Sequence, residues 1–197
     1  MRVTPIPPQL QALQPWRNGA GTTREIVRVG PEDDFLWRAS IARVDASGPF
    51  SAYPRHQRFS CLLDGGPLQL RFSDGTRLPL EPRMRAHAYA GHPAPMAVLD
   101  GEFAIVFNVM AARGRVEVQV LPRPLVGSMV LFDQAHTNWL IYLISGEATL
   151  RLGEQRHWLG EQHALLLQGD GDGSRAVLEG GGEVVLIRIE ADRGASH

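Results

Sequence analysis

Apolar positions in this 197-residue chain recur at two-residue spacing, in short runs cut by glycine, proline and aspartate. Over 22–29 the alternation sets Thr22, Arg24, Ile26 and Arg28 on one face and Thr23, Glu25, Val27 and Val29 on the other. A second strand is predicted over 35–44, with Trp37, Ala39 and Ile41 opposite Arg38, Ser40 and Ala42. The apolar run 59–63 stops at Asp64-Gly65-Gly66. Strands over 68–72 and 76–80 flank Ser73-Asp74-Gly75, and Asp-Gly between alternating runs is a strong hairpin signal. Residues 102–110 form the most apolar strand, interrupted by Asn108. A buried amide needs hydrogen-bond partners, and a place in a bulge or a contact with a ligand would each supply them. Val116, Val118 and Val120 alternate up to Pro122, and shorter strands follow over 129–133, 139–144, 148–152, 164–167, 176–179 and 184–189.

The remaining segments read as connections. Four prolines make residues 1–15 an extended lead-in, with one helical turn over 9–13. Residues 84–95, holding His87 and His92 among Gly91, Pro93 and Pro95, read as a loop with solvated histidines. Ser145-Gly146-Glu147 and Gly180 to Gly182 read as turns, and 191–197 as a frayed end. No longer stretch has helical periodicity, so the fold class is all-β.

Two stretches share one pattern. LLDGGPLQLRFSDG, from Leu62, and LISGEATLRLGEQ, from Leu143, each give an apolar strand, a glycine, an alternating strand ending in Leu-Arg and a second turn. Gly65 and Gly146 stand 81 residues apart. A repeat of that length, made of short strands and tight turns, predicts two tandem barrels, 1–115 and 116–197, packed as one unit.

Composition narrows the partners. A formal net charge of −1 gives no general field for nucleic acid or an anionic membrane, and nothing resembles a DNA-reading helix. The single cysteine, Cys61, allows no intrachain disulfide or multi-cysteine metal site and reads as a buried structural thiol. No apolar run suits a signal peptide or a membrane span, so a cytoplasmic location is expected. Asn18-Gly19-Ala20-Gly21 lacks the Lys-Ser/Thr pair and following helix of a phosphate loop. Residues 48–66 do carry candidate chemistry. Ser51, Tyr53, His56 and Arg58 precede a buried run and a hairpin turn, a set suited to a small anion at a barrel mouth, while Arg58 in plain solvent is the simpler alternative.

The doubled pattern resembles the cupin superfamily of jelly-roll barrels. Four ordered blocks, starting at Trp16, Trp37, Gly48 and Phe107, resemble the HutD/Ves family of bicupins. Ala20, Arg17 and Val106 depart from the expected Gly, Lys and Asp without removing a block. The resemblance implies a non-catalytic cytoplasmic protein linked to histidine utilisation, with a regulatory role and a small carboxylate ligand such as formylglutamate. By cupin spacing back from Gly65, Arg58 stands where catalytic cupins place a metal-binding glutamate, and the paired-histidine positions fall near Ser51 and Tyr53. A guanidinium repels a divalent metal and grips a carboxylate, so neither metal nor other cofactor is expected. Arg58 is the main ligand-binding candidate; Trp16, Asn18, Thr22, Arg24, Ser40 and Asn108 are further candidates taken from the family blocks. The C-terminal barrel is expected to be scaffold, and a homodimer through an exposed sheet is the expected form of any self-association. A metal-independent isomerase or hydrolase using Tyr53 or His56, and a protein-interaction module, are the rival functions.

Overall fold

A computed structural model describes residues 1–16 and 18–191. In chain order the strands are β1 (Arg2–Ile6), β2 (Ala12–Pro15), β3 (Gly21–Val29), β4 (Trp37–Val44), β5 (Gly48–Pro49), β6 (His56–Gly65), β7 (Leu68–Arg71), β8 (Arg77–Pro79), β9 (Ala86–Ala90), β10 (Met96–Leu99), β11 (Ala104–Ala112), β12 (Val116–Phe132), β13 (Thr137–Leu152), β14 (Gln155–Leu159), β15 (Ala164–Gln168) and β16 (Arg175–Ala191). The described helical structure is one 3-10 turn at Pro8–Leu10, shorter than the turn predicted over 9–13. The predicted fraying over 191–197 falls outside the described residues, except Ala191, which ends β16. No helix among them is long and apolar enough to cross a membrane.

The chain divides into two compact units. One spans Gln11–Val116 and contains a six-stranded sheet, ordered β2-β3-β4-β11-β6-β9, and a four-stranded sheet, β5-β10-β7-β8. Its apolar core gathers Val44, Leu62, Leu68, Leu70, Leu80 and Val106. Alternation explains the layout. Leu62 and Val106 pair across β6 and β11, and Val106 pairs with Ala42 of β4, so one end of the inward face is apolar. Further along the same three strands the paired inward residues become Ser40, Asn108 and Ser60, then Arg38, Met110 and Arg58. One sheet face therefore passes from oily to polar along its length.

The other unit joins Met1–Leu10 to Glu117 and the residues after it. Its sheet runs β1-β15-β13-β16-β12, with β14 on β13. The first ten residues thus sit with the C-terminal barrel, whereas sequence order groups them with the first: Val3 pairs with Leu167 and Ile6 with Ala164, a partner far too distant in sequence for local periodicity to reveal. The predicted turn at Ser145-Gly146-Glu147 is instead a bend within continuous β13. Gly146 has φ +91° beside a register shift and faces Gly182 of β16. A Cβ on Gly146 would lie 2.1 Å from the Gly181 carbonyl oxygen, so the glycines let two long strands touch rather than reverse. β12 likewise runs through Pro122 without stopping. It is the terminal strand of its sheet, where a missing N–H costs no ladder bond.

Residues 84–95 also differ from the expected loop. Ala86–Ala90 forms β9, paired with β6 so that His87 opposes Ser60 and Tyr89 opposes Arg58. Alternating alanines conceal this strand, because a methyl group marks neither face strongly. His87 is partly buried in that strand, while His92 is exposed, as expected.

Candidate functional site

The polar end of the inward face opens into a cavity of about 440 Å³ within the unit of residues 11–116. Trp16, Asn18, Ser40, Arg58 and Asn108 line it, and so do Ser51 and Tyr53. Thr22 and Arg24 do not. Strand parity explains the difference: Thr23 pairs with cavity-lining Ala42, while Arg24 pairs with Ile41 on the opposite face. Thr23 and Arg38 are the lining residues that replace them. Arg38 shares a face with Ser40 in the sequence pattern, so alternation alone carried the signal.

Arg58 is 4% exposed. One terminal N–H donates to the Ser51 carbonyl oxygen at 3.1 Å, and the guanidinium carbon lies 5.1 Å from the Phe50 ring centre, 5.4 Å from Tyr89 and 5.9 Å from Tyr53. Its Nε is buried without a hydrogen-bond partner, and no carboxylate among the described residues pairs with it. The aromatic rings supply cation–π attraction but accept no in-plane hydrogen bonds. This guanidinium therefore keeps donors available for an oxyanion.

Asn108, part of the lining, belongs to a buried hydrogen-bonded chain. Ser60 Oγ donates to Asn108 Oδ1 at 2.7 Å, and Ser60 and the Tyr89 hydroxyl lie 2.8 Å apart. Because serine has one O–H, Tyr89 must be the donor to Ser60. Asn108 Nδ2 donates to the Val106 carbonyl at 3.3 Å, leaving its other N–H for the cavity. Asn108 thus combines the two expected roles, a structural amide near the 105/106 register shift and a wall of the pocket. Sequence reasoning singled out neither Ser60 nor Tyr89.

The rim is set by turn chemistry. Trp16 Nε1 donates to Thr23 Oγ1 at 2.7 Å, and the indole meets Phe50 edge-on at 5.9 Å. Asn18 Oδ1 accepts from the Ala20 N–H at 3.1 Å, closing the turn into β3. The loop after β5 is held at Gly91, which accepts from Tyr53 N at 2.7 Å and donates to the His56 carbonyl at 2.9 Å. A Cβ on Gly91 would fall 2.2 Å from the Tyr53 oxygen, so any side chain there would push the loop off the cavity. His56 does not line the cavity. Its Nε2 donates to the Phe35 carbonyl at 3.0 Å while its ring packs on Phe35 at 4.2 Å.

Two titratable groups nearby are shifted. Burial, followed by the charge of Arg85, lowers the pKa of His87, partly offset by a hydrogen bond that its ring donates to the Glu81 backbone carbonyl. Burial pushes the Cys61 thiol up to about 12, and the residue is fully enclosed, consistent with a structural thiol.

The cavity lining contains no histidine, cysteine or carboxylate among the described residues, so its donor set suits an anion rather than a metal. Among the described residues the group that could gather around a cation is Asp133, Asp170 and Asp172, in the other unit. There the Met1 ammonium lies 2.8 Å from Asp170, and the Asp172 N–H donates to Asp133 at 2.9 Å. Burial raises the Asp133 pKa, while hydrogen bonds lower those of Asp170 and Asp172, from the ammonium first for Asp170 and from Ser174 first for Asp172.

Comparison with known proteins agrees with this architecture. The HutD family model matches residues 9–186. Protein Ves of Cronobacter sakazakii is 36% identical over 163 residues, covering 79% of this chain and 87% of its own. The crystal structure of a conserved protein of unknown function from Pseudomonas aeruginosa PAO1, PA5104, superposes with a TM-score of 0.86 at 27% identity, covering 98% of this chain and all of that one. HutD from Pseudomonas fluorescens SBW25, in a structure from a formate condition, gives a TM-score of 0.78 at 23% identity, with 96% and 99% covered; that likeness bears on the fold alone. With its all-β, cupin-type barrels, the chain belongs to the HutD family.

Proposed function

We propose that the cavity of residues 11–116 binds a small carboxylate metabolite of the formylglutamate type without transforming it, and that its occupancy serves a regulatory role linked to histidine utilisation. One observation carries the binding: the buried Arg58 guanidinium lines the cavity, its Nε has no hydrogen-bond partner, and it has no counter-ion among the described residues. Leaving such a group without an oxyanion is costly, and a carboxylate supplies the missing acceptors in the planar geometry a guanidinium prefers. Asn108 offers a further N–H to a carbonyl on the ligand, and Trp16 and Phe50 enclose its carbon chain. Membership of the HutD family supports the link to histidine utilisation. A cytoplasmic location belongs to the same proposal. The absence of His56 from the lining weighs against an acid–base enzyme, leaving only Tyr53 of the two suggested groups.

Calorimetric titration with formylglutamate tests this reading. The wild-type protein should bind it, and Arg58→Met, which keeps most of the apolar stem, should weaken binding by about ten- to a hundredfold, since each 1.4 kcal/mol is a factor of about ten. Equal affinity in both proteins, or no binding by the wild type, would overturn it.

A further inference from the structure

The cavity holds a second guanidinium. Arg38 of β4 stands in register with Met110 of β11, and Met110 with Arg58 of β6. Residues paired across neighbouring strands share a face, so the two arginines flank Met110 on the inward side, with Cα atoms two strand spacings, or roughly 10 Å, apart. Both line the cavity.

Their surroundings differ. Arg58 has no carboxylate partner among the described residues, whereas Arg38 Nε lies 2.6 Å from Glu25 Oε2. Despite that separation, Arg38 Nε is a buried donor without a hydrogen bond. The two observations agree if the approach is oblique, so Glu25 neutralises charge without consuming the donor. Glu25 is also shared: Arg28 Nε lies 3.6 Å from its other oxygen, and Arg28 in turn reaches Glu32 at 3.5 Å. Glu25 and Arg38 are both largely buried, with side chains 16% and 14% exposed, so solvent screens this arrangement only partly.

Resting on the carboxylate-binding reading, whose formylglutamate-type ligand carries two carboxylates, we infer that Arg38 is the subsite for the second one, that the ligand bridges Arg58 and Arg38, and that Glu25 competes with that second carboxylate. Arg58 then provides affinity for any small acid, and Arg38 provides discrimination between diacids and monoacids of equal length. With the second carboxylate bound, Arg38 gains hydrogen bonds of the geometry Glu25 does not supply. Glu25 retains Arg28 as its partner, so no buried carboxylate is stranded by the exchange.

Glutarate and its half-amide, glutaramate, are the probes, equal in length and different by one charge. Calorimetry on the wild-type protein should show glutarate binding about tenfold or more tighter. Arg38→Met should bring that ratio close to one, and Arg58→Met should weaken both ligands. Glu25→Gln, which removes the competitor, should tighten glutarate alone; misfolding cannot mimic a selective gain. If the wild type binds both probes equally, or Arg38→Met keeps the ratio, or Glu25→Gln fails to tighten glutarate, the second subsite is wrong while the carboxylate reading stands. If neither probe nor formylglutamate binds the wild type, both readings fall.

Discussion

In β6, Arg58 and Ser60 precede an unpaired residue, Leu63, and a glycine at φ +91°, Gly65; in β13, Trp139 and Ile141 precede Ile144 and a glycine at the same φ, Gly146, each 81 residues further on. The partner strands match as well. Ser60 pairs with Asn108 where Ile141 pairs with Leu186, and Leu62 pairs with Val106 where Leu143 pairs with Val184. The two barrels therefore share a bulge, a register and an apolar end. They differ at the other end, where one carries Arg58, Ser60 and Asn108 and the other Trp139, Ile141 and Leu186. The C-terminal unit continues its packing with Leu125, Leu150, Leu165 and Leu178, whereas the unit of residues 11–116 leaves a polar cavity. A cupin-type barrel is thus stable either filled or hollow, and a few paired positions decide which.

Exchanging residues between these equivalent positions should break the comparison unevenly. The largest effect is expected for Leu186→Asn, which removes a buried aliphatic side chain and places an amide in an apolar core; it should cost about 3–5 kcal/mol in urea unfolding. The reverse exchange, Asn108→Leu, should cost only about 1–2 kcal/mol, because it deprives Ser60 of an acceptor but adds apolar area. Equal losses would mean that the two interiors are alike. Arg58→Met should leave ligand-free stability unchanged or raise it by up to about 1 kcal/mol, since a buried unpaired guanidinium gives way to an apolar side chain. A loss of several kcal/mol would make Arg58 a structural residue instead.

The smallest effect concerns pH. Burial holds the His87 pKa below its ordinary 6.5, so the unfolded chain takes up a proton that the folded chain resists. The linked stability is complete above about pH 6.5 and is lost as pH falls from there through the folded value. The decrease in Tm between about pH 7.5 and about pH 5.5 should accordingly be smaller in His87→Asn than in the wild type. Identical decreases would show that His87 is solvated in the folded protein.

Much of this was legible in the residues themselves. Gly65 and Gly146 announced the repeat because both carry the same backbone demand, and the polar run before Gly65 drew attention to Arg58. Period two also sorted β3 and β4 into faces, but it cannot say which face is inward, and Thr22 and Arg24, taken from the family blocks, lie outside the cavity lining that holds Thr23 and Arg38. Tyr89 and Ser60 were hidden for another reason. The link between them joins residues 29 positions apart through a strand of alanines, so nothing local marks it. The pairing of β1 with β15 is more distant still. Non-local ladders of this kind are written in complementary surfaces rather than in any one segment.

The central claim, that one barrel is a hollow anion site and the other a packed scaffold, is tested most directly by a crystal structure from bromide-containing solution. Anomalous density is expected within hydrogen-bonding distance of Arg58, displaced when glutarate is added, with none inside the barrel containing Ile141 and Leu186. Bromide absent from the Arg58 cavity at saturating concentration, or bound instead within the second barrel, would contradict it.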